Sequence, residues 1–199
     1  FNREYQMPHV QVFADRNRVE REETFELPAA ARDRFMMEIG MDAPTDDTVL
    51  DALMFDPRFH DVDTLVAGID KGIVPYYQLN EFAALLQRSI KTSPTLHQYA
   101  LDLWKAASRP GVYGIRLSDV DMEQLLQAGP SPRGMSFFLR AAKVRAWLEG
   151  RDMLLPEDMQ AVFNVTMAHR IFLHPVYGYR KEELMPELVK GILEGIAAP

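Results

Sequence analysis

Apolar residues recur at helical spacing along most of this chain from residue 45 onward. In residues 76–90, for example, Leu79, Phe82 and Leu86 lie three or four positions apart, which places them on one face of a helix. Thr45 can cap the first of these helices, because its side chain can accept a backbone N–H bond. The pattern predicts helices that begin near residue 46 and then cover residues 76–90, 93–109, 118–126, 132–149, 156–169 and 182–196.

The first 44 residues have a different pattern. Residues 9–14 and 35–39 are short runs of strand-favouring residues, and turn-forming residues follow the second run. Between them, Pro28 suits the first turn of a short helix that continues to Asp33. The chain is therefore predicted to be mainly α. Residues 1–44 would be the remnant of an α/β core with one or two strands, and residues 45–199 an all-α helical bundle.

Composition narrows the function classes. The net charge of −7 and the pI near 5.3 argue against nucleic-acid binding as the main role. The absence of cysteine excludes disulfides and thiolate metal sites, which fits a reducing cytoplasm. No apolar run is long enough to span a membrane. The chain begins with Phe rather than Met, so we expect it to start inside a longer polypeptide or after the loss of upstream residues.

Two polar residues follow the first predicted elements. Asn17 comes after the first strand, and Arg34 ends the short helix. An asparagine amide both donates and accepts hydrogen bonds without adding charge, but Asn17 could also be a simple turn residue at the end of a strand. Arg34 could act on an anion, pair with Asp33, or serve as a cation at the carboxyl end of its helix.

A second motif, Gly-Pro-Ser-Pro-Arg-Gly, occupies residues 129–134. Ser131 is a good N-cap and Pro132 is a good first helical residue. Arg133 would then lie in the first turn, where the helix dipole disfavours a cation. An arginine there can form an anion site with the free backbone N–H groups. The alternatives are a pair with a nearby carboxylate, or exposure to water.

These segments resemble MoxR-type AAA+ ATPases. Residues 9–39 match the family segment from the sensor 1 residue to the arginine finger without gaps, and residues 130–173 match the helical lid with its sensor 2 motif. Between residues 45 and 128 the resemblance rests on helix order. Arg18 stands where the family usually has Pro, and Glu23 stands where Gly is common, so the loop differs in stiffness and charge.

The resemblance implies one role for each of three residues. Asn17 would be the sensor 1 residue, which orients the attacking water or contacts the γ-phosphate. Arg34 would be the arginine finger, which reaches the nucleotide of the neighbouring subunit. Arg133 would be the sensor 2 residue, which couples the nucleotide state to the position of the lid. The fold would be the end of an AAA+ nucleotide-binding core followed by the AAA+ lid.

The resemblance also implies ATP and Mg²⁺ as ligands. However, no G-x-x-x-x-G-K-S/T motif occurs in the chain, and no hydrophobic strand ends in the acidic pair that would hold Mg²⁺. The primary ATP site is therefore expected outside this sequence. The chain alone is expected to be inactive as an ATP hydrolase.

As a whole, the resemblance implies an ATP-driven, chaperone-like factor that matures other proteins or inserts metal cofactors. A homo-oligomer is expected, as a hexameric ring, with a von Willebrand A domain protein or another client as partner. One alternative is a catalytically inactive helical adaptor, against which the joint presence of Asn17, Arg34 and Arg133 argues. Another is a magnesium-chelatase-type subunit, although the Ser-Pro-Arg sequence of the lid favours the MoxR type.

Other signals for chemistry are weak. His169 and His174 lie five residues apart with no acidic companion nearby, which is a poor metal site. Asp119, Asp121 and Glu123 form an acidic run, but the Gly and the closing Glu of a calcium loop are missing. No metal ligand is predicted in this chain.

Overall fold

Two structural units divide the chain. One contains residues 1–13 and 39–82, and the other contains residues 14–38 and 83–199. The computed structural model describes residues 5–7, 9–15, 27–70 and 72–199. The predicted division between residues 44 and 45 follows a change in sequence pattern and stays a prediction.

The first unit is built from short helices. They are α2 (Asp47–Phe55), α3 (Val62–Ala67), two 3-10 turns (Pro57–Phe59 and Tyr76–Gln78) and the start of α4 (Leu79–Ser89). The N-cap of α2 is Asp46 and not the predicted Thr45. The Asp46 carboxylate accepts the N–H groups of Thr48 and Val49, at 2.8 and 3.3 Å. A carboxylate at this position also gains from the helix dipole, which explains the shift of one residue.

The strands predicted at residues 9–14 and 35–39 are not formed. Residues 9–15 are irregular, and residues 33–40 form a turn followed by irregular backbone. A strand is stable only beside another strand that pairs with its backbone groups. Within the described residues, neither segment has such a neighbour.

Four long helices form the body of the second unit. They are α5 (Pro94–Ser108), α6 (Pro132–Leu148), α7 (Pro156–Met167) and α8 (Lys181–Gly195). The short α1 (Ala29–Arg32) packs against the 3-10 turn Ala168–Arg170 that follows α7. Side chains from all four long helices meet in one apolar core. The Phe138 and Phe163 rings meet edge to face there, with centroids 5.7 Å apart. The core includes Leu103, Ala142, Met159, Met167, Leu184, Leu188 and Ile192.

Serine followed by proline sets the start of both α5 and α6, as predicted. Ser131 Oγ accepts the N–H of Gly134 at 3.3 Å, and Pro132 occupies the first helical position. The carboxyl end of α6 is followed by Gly150 in the left-handed conformation, with a φ of 73°. The start of α6 is therefore fixed to the residue, which matters because Arg133 lies in its first turn.

The predicted helix over residues 118–126 is absent. Asp119 has a φ of 56°, which no right-handed helix accommodates, and the chain then makes turns. It continues as strand β1 (Leu126–Ala128), which pairs antiparallel with β2 (Phe172–Leu173). Pairing with a segment distant in sequence has overridden the local helical signal.

Candidate functional site

Arg34 lies in the turn that follows α1. Its side chain is exposed, and its Nη1 donates to the carbonyl oxygen of Ala30 at 2.8 Å. The contact is that of a cation at the end of a helix, one of the alternatives considered from sequence. The guanidinium is therefore held at the surface.

Arg133 lies at the other side of the same site, in the first turn of α6. Its side chain is 51% exposed, and its Nη1 pairs with Asp33 Oδ2 at 3.1 Å. Asp33 also accepts the hydroxyl of Ser131 through Oδ1 at 2.7 Å. An internal carboxylate thus lies at the positive end of α6, where the helix dipole and Arg133 together favour an anion. The contact seen here is the pair with a nearby carboxylate, one of the alternatives considered from sequence.

A third arginine, which sequence reasoning missed as a site residue, lies behind these two. Arg170 follows α7 and is fully buried. Its five N–H donors face five oxygens: Asp33 Oδ1 at 3.2 Å, and the carbonyl oxygens of Asp33 (3.1 Å), Phe35, Met36 (3.3 Å) and Thr166. Burial lowers the pKa of Arg170, and the Asp33 carboxylate opposes that change. The planar guanidinium is the side chain suited to such a set of acceptors.

His169 is buried against this guanidinium as a neutral ring. Its Nε2 lies 2.6 Å from Nη1 of Arg170 and 3.2 Å from the carbonyl oxygen of Phe35. Burial and then the charge of Arg170 lower the pKa of His169 to about 4. Glu38 and Arg32, of opposite sign, also act on the ring.

We expect His169 to make stability depend on pH. Its pKa is about 4 in the folded chain and near the usual 6.5 in the unfolded chain, so only the unfolded chain takes up a proton between these values. The free energy of unfolding should therefore fall as the pH is lowered from 6.5 to 4, by about 3 kcal/mol from this residue. Urea unfolding at several pH values would measure it. A His169→Gln variant should lose that part of the slope, and equal slopes in both proteins would contradict the assignment.

Gly134 makes room for the buried arginine. A Cβ at residue 134 would lie 2.5 Å from Cδ and 3.0 Å from Nε of Arg170. Gly134 itself is buried in the first turn of α6. The last residue of the Gly-Pro-Ser-Pro-Arg-Gly motif therefore admits the side chain of Arg170 to the site.

The predicted site residues are brought together in part. Arg133 pairs with Asp33, the residue that precedes Arg34 in sequence, whereas the side chain of Arg34 donates to Ala30 O. Asn17 lies outside the described residues. The Ala-His-Arg sequence of residues 168–170 was part of the lid resemblance, but burial of Arg170 could not be inferred from it. Asp33 had been considered as a pair for Arg34, whereas it pairs with Arg133 and Arg170.

Two further observations concern metal binding and membrane insertion by the described residues. They contain no group of three or more His, Cys, Asp or Glu side chains that could hold a metal ion. Over the same part of the chain, no helix combines the length and apolar character needed to cross a membrane.

Comparison with known proteins shows what this chain is similar to. Residues 120–188 match the model of the AAA lid domain. The fold is similar to that of a candidate ATPase from Cytophaga hutchinsonii, with a TM-score of 0.71 over 92% of this chain and 52% of that chain. At 24% identity, this likeness concerns the fold alone.

Protein MoxR of Methylorubrum extorquens is 54% identical to this chain over all 199 residues. The chain belongs to the MoxR family of AAA+ proteins. The mainly α fold with an AAA+ lid, predicted from the sequence, is confirmed for this MoxR-family chain.

A more distant relative is Chaperone MoxR1 of Mycobacterium tuberculosis, which is 27% identical over 193 residues. That match covers 94% of this chain. The chain spans 58% of the length of the Methylorubrum protein and 46% of the length of the Mycobacterium protein. The activity and partners of the whole protein are therefore a matter for proposal.

Proposed function

We propose that this MoxR-family chain supplies the nucleotide-sensing and lid part of an ATP-hydrolysing ring. In this proposal Arg34 is the arginine finger for the nucleotide of the neighbouring subunit. Arg133 contacts the nucleotide of its own subunit, and Asn17 is the sensor 1 residue. Membership of the AAA family supports nucleotide use in general.

The observation that carries the proposal is the contrast in exposure among three arginines: Arg34, Arg133 and Arg170. Arg170 is buried, and oxygens of the chain face all its donors. Arg34 and Arg133 instead carry their guanidinium groups to the surface. A surface guanidinium can exchange an oxygen of the chain for a phosphate oxygen at little cost in free energy. Both oxygens accept N–H hydrogen bonds from arginine with similar geometry.

Asp33 supports the role of Arg133. Its carboxylate bridges Ser131 and Arg133 at the start of α6, so an anion is already stabilised at this position. A phosphate oxygen would find the same guanidinium and the same positive helix end. Nucleotide binding to Arg133 would therefore compete with the Asp33 pair, which links the lid to the finger segment.

Magnesium and the phosphate-binding loop are not accounted for by these residues. The described part of the chain offers no acidic cluster for Mg²⁺, and the sequence contains no phosphate-loop motif. We propose that both belong to residues of the full-length protein outside this chain.

The chaperone-like role is also part of the proposal. It is supported by the name of the related Chaperone MoxR1 and by the family of the chain. A hexameric ring, a von Willebrand A domain partner and a cytoplasmic location follow from the family resemblance. A domain division at residues 44 and 45, between the AAA+ core and its lid, is proposed on the same ground.

Mixed rings of the full-length protein test the proposal. One subunit would carry Arg34→Ala, and the other would lack its phosphate-loop lysine but keep Arg34. If the finger acts between subunits, each variant alone should be inactive in ATP hydrolysis, and the mixture should recover activity well above their sum. Failure of the mixture to recover, with mixed rings verified by native mass spectrometry, would exclude a finger acting between subunits. Absence of hydrolysis by the unaltered protein would favour the inactive adaptor.

A further inference from the structure

We propose that Arg170 is a positioning residue for the arginine finger: from the lid side, it holds the backbone on both sides of Arg34. This inference rests on the proposed role of Arg34. It assigns a function to a buried arginine that belongs to neither the finger nor the sensor motif.

The hydrogen bonds from Arg170 to the turn, called the clamp below, lie on both sides of one residue, Arg34. Arg170 Nη2 donates to the carbonyl oxygens of Asp33 and Phe35, the residues that flank Arg34, and Nη1 donates to Met36 O at 3.3 Å. Of the four consecutive carbonyls from residue 33 to residue 36, three are thus bound by one guanidinium. The side chain of Arg34 leaves this turn in the exposed direction.

Neighbouring contacts fix the same turn to α7 and the residues after it. The N–H of Glu38 donates to Val165 O at 2.9 Å, which anchors the segment downstream of the turn. The Arg170 guanidinium is itself fixed, because it lies 5.3 Å from the ring centroid of Phe137 and donates to Thr166 O. The turn that carries Arg34 is therefore fixed to the helical lid through backbone contacts, which do not depend on the side chains of the turn.

The spread of its donors explains why an arginine, and not a lysine, is needed at this position. The Asp33 carboxylate is 16% exposed, and the buried Arg170 faces it with Nε at 3.2 Å while Arg133 faces it from the surface side. Lysine would keep a positive charge beside Asp33, but its three donors on one nitrogen cannot reach carbonyls spread over several residues. Arg170→Lys should therefore retain the charge and loosen the turn.

Arg170→Lys is predicted to weaken the contact that Arg34 makes, in the transition state, with the nucleotide of the neighbouring subunit. A catalytic group misplaced by about 1 Å can lose on the order of 100-fold in rate, so Arg170→Lys in the full-length protein should lower kcat at least about tenfold. The KM for ATP should stay within a few-fold, because the nucleotide of the altered subunit is bound elsewhere. Steady-state ATP hydrolysis measures both quantities.

Subunit mixing separates positioning from a structural role. Arg170→Lys subunits mixed with subunits that lack the phosphate-loop lysine should regain hydrolysis, because the second kind carries an intact finger and clamp. Arg133→Gln subunits in the same mixture should regain none, because their defect lies at their own nucleotide. Wild-type activity of Arg170→Lys, or a defect that mixing does not relieve, would overturn the inference.

The Arg34→Ala mixture distinguishes this inference from the proposed function. If Arg34→Ala is rescued and Arg170→Lys is not, the finger stands and the clamp fails. If Arg34→Ala is not rescued, the finger itself fails. Should Arg170→Lys not assemble, Gly134→Ala keeps every donor of Arg170 but places a methyl group against its Cδ. A rate loss relieved by mixing is expected for that variant, and its absence would overturn the inference.

Discussion

Arg34→Ala in the full-length protein is expected to lower kcat for ATP hydrolysis by about 10³-fold, the effect typical of removing an arginine finger. The finger neutralises charge that develops only in the transition state, so ATP affinity should change by no more than a few-fold. Hydrolysis and nucleotide binding, measured on the same preparation, would show the two effects separately.

The structure makes this variant interpretable. Arg34 is exposed and donates to Ala30 O, so its loss should change the free energy of unfolding by only about 0.5 kcal/mol. Arg88→Ala is a matched control, because Arg88 is also an exposed arginine near the end of a helix. The control should keep full activity. Normal hydrolysis by Arg34→Ala would remove the finger assignment.

The second large effect concerns stability. Asp158→Ala is expected to lower the free energy of unfolding by about 3 kcal/mol, the lower part of the range for breaking a buried ion pair. Asp158 is fully buried in the first turn of α7, and its two oxygens accept the guanidinium of Arg151 at 2.6 Å each. It also accepts the N–H of Leu155 at 3.0 Å. Arg151 is 31% exposed and can be hydrated after the change, which keeps the cost at that end of the range.

Asp152→Ala is the matched control for this prediction. Asp152 also pairs with a cation, Lys91, at 2.7 Å, but both side chains are about 70% exposed. An exposed pair contributes little to stability because water screens it, so urea unfolding should separate the two variants clearly. Equal losses of unfolding free energy in the two variants would show that burial of Asp158 does not determine its contribution to stability.

The pH dependence provides a second check. Burial opposes ionisation of Asp158, but the hydrogen bonds from Arg151 and Leu155 outweigh it and lower the pKa of this carboxyl. Its contribution should therefore be present at neutral pH and be lost as the pH falls through the lowered pKa.

Helix starts were the part of the fold that the sequence predicted well. Ser131 followed by Pro132 specified the start of α6 because a cap and a first-turn proline act through bonds within four residues. The same reasoning placed the N-cap of α2 at Thr45, one residue before the observed Asp46, because either of these adjacent side chains could serve as the cap.

Strands were the part that sequence patterns could not predict. Residues 9–14 and 35–39 have strand-like composition but lack a paired neighbour among the described residues, whereas β1 begins at Leu126, the last residue of a predicted helix. A strand depends on a distant segment that a local pattern does not specify.

The candidate site divides in the same way. Arg34 and Arg133 could be identified from motifs, because each stands at a fixed offset from a helix end. Arg170 could not, because its role depends on carbonyl oxygens more than 130 residues away in sequence. A buried arginine is rare enough that no sequence pattern would favour it.

Gly134 has a consequence for protein engineering. Glycine within a helix usually invites replacement by alanine, which gains about 1 kcal/mol through helix propensity. Here the added methyl group would overlap Cδ of Arg170, a mid-chain atom that cannot withdraw without giving up its oxygen contacts. A stabilisation scheme that ranks glycines by helix propensity would choose this position and loosen the turn that carries Arg34.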